Sequence, residues 1–118
     1  MSTLTAQVKQ QAGVSVIQLV GYLSSEAAGI VEEAFQQVAS APKVLLVFQD
    51  KDFMTSAGIA VIFDCVLPLQ AQGRQVRIVQ PSKHFRKVFT IVGLSKDVEV
   101  FAGEEEALAG WGGGRNSG

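Results

Sequence analysis

Hydrophobic residues along this chain fall into short runs whose period switches between two and about 3.6, and glycine, proline or small polar residues mark the switches. Thr3 to Lys9 alternates weakly, Gly13 interrupts, and Val14 to Val20 is a denser β-branched run, so this stretch reads as a hairpin. After Gly21-Tyr22-Leu23, a serine of the pair Ser24-Ser25 can cap a helix, with Glu26 in the first turn where the helix dipole favours an acid. Ala27, Val31, Ala34, Phe35 and Val38 keep helical spacing to about Ala39 and leave Glu32, Glu33, Gln36 and Gln37 mainly towards water.

Pro42 ends that helix. Val44 to Phe48 is a continuous apolar run of strand length, the expected centre of the sheet. Lys51 to Gly58 reads as a polar turn, and from Ile59 the residues Ile59, Ile62, Phe63, Val66 and Leu67 predict a helix with one buried stripe, which Pro68 should bend or loosen before Gly73. Val76 to Val79 is a short strand. Ser82 caps a helix that carries Phe85, Val88, Phe89 and Val92 inward and stops at Gly93. Val98 to Phe101 offers a last strand, and Gly103 to Leu108 opens a terminal helix with Glu104, Glu105 and Glu106 at its positive end. The order β-β-α-β-α-β-α-β-α predicts an α/β domain: a mixed sheet of about five strands with about four helices packed largely on one face.

Composition narrows the function classes. The 118 residues make one unit, expected to span 1–111 before a flexible Gly-rich tail at 112–118. Hydrophobic residues at 47% and charged residues at 18% suit a folded globular chain. Ten Lys and Arg against eleven Asp and Glu leave no basic excess for nucleic acid. Met1 to Lys9 lacks a signal-peptide pattern, and no apolar run approaches the roughly 18 to 20 residues of a membrane span, so a cytoplasmic protein without membrane insertion is expected. One Cys and one His, without ligand spacing, predict neither disulfide, metal site nor cofactor. An enzyme would have to combine Ser56 with the distant His84 and no assigned orienting acid, so none is expected.

The strand-to-helix junction at Thr55 and Ser56 is the most informative point. Unpaired amides and the helix dipole face outward there, so an anion can be accommodated. A phosphate on Ser56 would add about −1.5 to −2 charge, leave the core in place and confront a docked partner with a dianion. As a simple cap, the Ser56 hydroxyl would contribute about 1 kcal/mol.

The residues here carry a resemblance. Phe53-Met54-Thr55-Ser56-Ala57-Gly58-Ile59 resembles the phe-met-asp-ser-ser-gly-leu segment of the STAS-domain anti-sigma factor antagonists, in which the serine directly after the aspartate is phosphorylated. Ser56 matches that serine. Gly21-Tyr22-Leu23-Ser24 resembles the family's gly-x-leu-asp turn, and the element order fits from about Thr3 to Leu108. The resemblance implies a bacterial regulator that binds an anti-sigma factor with a serine-kinase fold, frees a sigma factor, and is switched off when that kinase phosphorylates Ser56. A phosphatase is a further expected partner. The departures are Thr55 for the motif aspartate, Ala57 for the second hydroxyl, Ser24 for the turn aspartate, and Val47 at the strand's acidic position. They leave Thr55 as a rival acceptor and keep a second role open, an unphosphorylated scaffold subunit of a transporter ATPase or signalling complex.

The expected partner rim is Ser24, Ser25, Thr55, Ser56 and Gly58, although Gly58 also suits a close helix–sheet contact and the serines suit caps. Lys83, His84, Arg86 and Lys87 form a basic cluster that reads either as a solvated helix face or as a contact for an acidic partner or nucleotide phosphate. Cys65 reads as a packed side chain, His84 as a surface residue, and Trp111 as the cover of an apolar edge or an exposed partner contact. Oligomeric state is left open by the sequence.

Overall fold

The computed structural model describes residues 4–11, 13–49, 53–91, 99–109 and 111. Strands β1 (Leu4–Gln11) and β2 (Val14–Leu23) form the antiparallel hairpin. A 3-10 turn, Ser25–Ala27, leads into α1 (Ala28–Gln37), and β3 (Lys43–Phe48) comes next. Then come a two-residue strand β4 (Phe53–Met54), α2 (Ser56–Ala71), β5 (Gln75–Val79), α3 (Lys83–Ile91), β6 (Glu99–Phe101) and α4 (Glu104–Leu108). The sheet is mixed and six-stranded, in the order β1-β2-β3-β5-β6, with β4 paired to β2 off that path. Every pairing except β1–β2 is parallel.

The unbroken apolar run of β3 is explained by burial on both faces. Val44, Leu46 and Phe48 point into the main core with Ile17, Val31, Ile62 and Phe89, whereas Leu45 and Val47 meet Val14, Val16, Val79, Ala107 and Trp111 on the other side. A strand inside a parallel sheet needs no polar alternation when both faces are covered. Helices α1, α2 and α3 contribute to the first face, and α4 with Trp111 closes the second. Trp111 is pinned in place: its indole donates to Gln75, its carbonyl accepts from Lys43 Nζ at 2.7 Å, and the Arg77 guanidinium lies 4.6 Å over its ring. Trp111 therefore covers apolar surface and is itself buried.

Three readings from the sequence change. The polar turn at 51–58 contains β4, which pairs Tyr22 with Phe53 and Leu23 with Met54. The first helix stops at Gln37, short of Ala39. The buried stripe of α2 is Gly58, Ile59, Ile62, Val66 and Leu69, while Leu67 is 50% exposed, because a 3.6 period carries the face from Val66 to Leu69. Pro68 lies inside α2, near its end. The helix runs on to Ala71 and closes with Gly73 at φ +85°, where the Arg74 amide bonds Leu69 O at 3.0 Å and the Gly73 amide bonds Gln70 O at 2.9 Å. The expectations for Thr3, Lys51, Asp52, Val92, Gly93, Val98 and the 112–118 tail fall outside the described residues.

Candidate functional site

The carboxyl end of β2 and the whole of β4 run side by side, so the two segments singled out in the sequence meet at one edge of the sheet. Thr55 leaves β4 with an extended backbone (φ −96°, ψ 168°), its amide donates to Leu23 O at 2.9 Å, and α2 begins at the next residue. The cap is Thr55. Its Oγ1 accepts from the Gly58 amide at 3.0 Å and donates to Leu23 O at 3.5 Å, which ties the helix start to β2. Ser56, read from the sequence as a possible cap, is the first helical residue and is exposed.

Gly58 holds the two segments together. A Cβ built there would lie 2.4 Å from Leu23 O and 2.9 Å from Leu23 Cγ, closer than any side chain tolerates. Gly58 is buried in this contact, so of the two readings the close helix–strand packing is the one observed. Across the rim, Ser24 caps the 3-10 turn by accepting from the Glu26 amide at 3.3 Å, and Ser25 is exposed. Ser24, Ser25, Thr55 and Ser56 thus lie on adjoining segments of one sheet end, with Gly58 beneath.

The first turn of α2 carries no acidic residue. Gly58 N is bound by Thr55 Oγ1 and Ile59 N by Thr55 O, which leaves the amides of Ser56 and Ala57 without an acceptor among the described residues. An anion on the Ser56 side chain would meet those two donors and the positive end of a 16-residue helix.

Three aromatic rings that the sequence pattern does not group stand beside this junction. Tyr22 and Phe53 stack with centroids 5.6 Å apart and an interplanar angle of 5°, and Phe85 meets Phe53 edge-on at 5.9 Å. Phe53 is 56% exposed, and Phe85, expected to point inward, is only half-buried. The β2–β4 pairing is the cause: it places Tyr22 opposite Phe53 across the ladder.

Elsewhere the chemistry is quiet. The Cys65 thiol is pushed up to about 11 by burial, then by the charges of Glu32 and Asp64, and stays protonated at neutral pH. Among the described residues no three His, Cys, Asp or Glu side chains group as a metal site, and no helix is long and apolar enough to cross a membrane. A cleft of about 890 Å³ is lined by residues that include Arg74, Gln75 and Trp111. It opens where β5 begins, at the opposite end of the sheet from Ser56, and therefore does not belong to the rim.

The STAS domain signature matches residues 5–107. The chain belongs to the STAS-domain family. In fold it is similar to the Bacillus cell fate determinant SpoIIAA in its phosphorylated form, with TM-score 0.63 and 24% identity over 89% of this chain and 97% of that one. It is also similar to an anti-sigma factor antagonist from Mycobacterium paratuberculosis, with TM-score 0.70 and 22% identity over 91% of this chain and 92% of that one. No curated protein matches the sequence.

Proposed function

We propose that this chain is an anti-sigma factor antagonist which docks on an anti-sigma factor of serine-kinase fold through the rim of Ser24, Ser25, Thr55 and Ser56, with Gly58 packed beneath it. Phosphorylation of Ser56 switches it off. The observation that carries this reading is the division of labour at the start of α2: Thr55 does the capping, and Ser56 is exposed beside two unpaired amides. Thr55 is the poorer acceptor because its hydroxyl already receives one hydrogen bond and gives another. A dianion on Ser56 is offset by the helix terminus, so the fold survives while the docked partner meets new charge. The function is binding, without turnover, in the cytoplasm, with a phosphatase resetting the serine.

Incubation with the kinase-type anti-sigma factor and ATP is expected to add one phosphate, mapped by mass spectrometry to Ser56. Ser56→Asp is expected to weaken the complex more than tenfold, about 1.4 kcal/mol or above. Phosphate on another residue, or an unchanged affinity, overturns the proposal. One observation favours a second reading, an unphosphorylated scaffold in a transporter ATPase or signalling complex: the motif carboxylate is replaced by a neutral, fully engaged threonine. Co-purification of transporter ATPase subunits, with no sigma-regulating kinase, would decide for it.

A further inference from the structure

We infer that the shelf of Tyr22, Phe53 and Phe85, together with the cationic first turns of α3, anchors the partner, and that it takes a protein segment presenting an apolar side chain flanked by carboxylates. This rests on the docking reading of the Ser56 rim and adds the chemistry of what docks there. Among the described residues the exposed large apolar side chains are Val20, Ile30, Phe53, Leu67 and Ile91, and Phe53 alone of them is aromatic. Its ring is held from two sides, stacked on Tyr22 and edge-on to Phe85, so it loses little rotamer freedom when covered. Pre-organised aromatic rings of this kind are the usual energetic centres of interfaces. Ser56 is three residues further along the chain, so a partner seated on Phe53 also reads the state of the serine.

The shelf continues into positive charge. His84 packs edge-on against Phe85 at 5.0 Å and also lines a cleft of about 640 Å³ with Lys83, Arg86, Lys87 and Val100. Helix α3 carries no acidic residue. Its start is rigid: Ser82 Oγ accepts from the Phe85 amide at 3.3 Å, Gln80 Oε1 accepts from the Ser82 amide at 2.9 Å, and Arg86 donates to the carbonyls of Gln80 and Pro81 at 2.8 and 3.0 Å. Arg86 thus braces the loop, while Lys83 and Lys87, one helical turn apart and exposed, offer charge outward. On a chain of net charge −1 this is a local field, suited to carboxylates on a protein and too small to hold a nucleic-acid backbone.

The test titrates the kinase-type anti-sigma factor by calorimetry against wild type, Phe53→Ala, Phe53→Leu, the double variant Lys83→Glu/Lys87→Glu, and Ser56→Asp, at about 50 and about 300 mM salt. Phe53→Ala and the lysine double variant are each expected to lose at least tenfold in affinity at low salt, the latter with a flatter salt dependence. Phe53→Leu keeps an apolar side chain on β4 and guards against loss of fold; it is expected to lose about threefold, with an unchanged unfolding midpoint. If both Phe53 variants and the lysine variant bind within twofold of wild type while Ser56→Asp still weakens the complex, the anchoring surface is wrong and the switch stands. If wild type itself does not bind, both fall. Tight, salt-sensitive binding of a single-stranded oligonucleotide, lost in the same variants, would overturn the protein partner in favour of a nucleic acid.

Discussion

Two helical segments start side by side at one end of the sheet, and they begin in nearly the same way. At each, a hydroxyl residue caps the turn and an exposed serine comes next: Ser24 then Ser25 at the 3-10 turn, Thr55 then Ser56 at α2. The residues after the serine separate them. The first start has Glu26 immediately after Ser25 and a 3-10 turn that runs into the 10-residue α1, whereas the second has Ala57 and Gly58 after Ser56, no acid in the first turn, and a 16-residue helix behind it. A dianion at Ser25 would sit beside the existing carboxylate of Glu26, while one at Ser56 would meet unpaired amides at the head of a helix with no acid in its first turn. Two exposed serines on one rim therefore differ in the charge beside them, and Ser56 is the better suited to the proposed phosphate switch.

The closest packing between the two starts is at Gly58, so the largest effect should come from Gly58→Ala. Its methyl would fall 2.4 Å from Leu23 O, a backbone atom that can yield only if β2 or α2 moves. Chemical denaturation is expected to show a loss of about 3 kcal/mol, at the upper end of ordinary overpacking. A loss under about 1 kcal/mol would mean that the two segments are not locked together.

Next in size are the caps. Thr55→Ala removes a hydrogen bond of 3.0 Å at the head of a long helix and is expected to cost about 1 to 2 kcal/mol. Ser24→Ala removes a longer, exposed 3.3 Å bond at the 3-10 turn and should cost about 0.5 kcal/mol or less. Cys65, further along α2, reports the same difference kinetically. With its thiol pushed up to about 11, only about one molecule in a thousand is thiolate at pH 8, and alkylation should be slow and rise about tenfold per pH unit towards that value. Thr55→Ala, by loosening α2, is expected to speed labelling at pH 8; Ser24→Ala is not. Equal effects from the two caps would erase the asymmetry.

The two starts were not equally legible in the sequence. A serine cap at Ser24-Ser25, the Ile59, Ile62 and Val66 part of the α2 stripe, the Ser82 cap and the apolar strand Val44 to Phe48 follow from local pattern; the structure places the first cap at Ser24 and covers the strand on both faces. The cap at α2 was assigned one residue late because Thr55 and Ser56 are both competent hydroxyl residues, and only the backbone geometry at Thr55 decides between them. The aromatic shelf was missed for a different reason. Tyr22 and Phe53 are remote in sequence and come together through a two-residue strand too short to carry a periodic signal. Leu67 shows the limit of counting apolar residues, since it fits an i+8 spacing from Ile59 yet stands in solvent.

The smallest expected effect is the most discriminating, because it separates damage to the fold from a change of surface. Ser56→Asp places a carboxylate at the first position of α2 and is expected to stabilise the chain by about 0.3 to 0.5 kcal/mol at low salt, a rise of about 1 to 2 °C in Tm. Ser25→Asp adds a charge next to Glu26 and should give no gain or a loss of a few tenths of a kcal/mol. Raising the salt should shrink both shifts, since both are surface electrostatics. A variant that is slightly more stable and yet more than tenfold weaker for its partner cannot owe that weakness to unfolding. The same pair of measurements with the signs exchanged would place the phosphate-tolerant start at Ser25 and remove Ser56 from the switch.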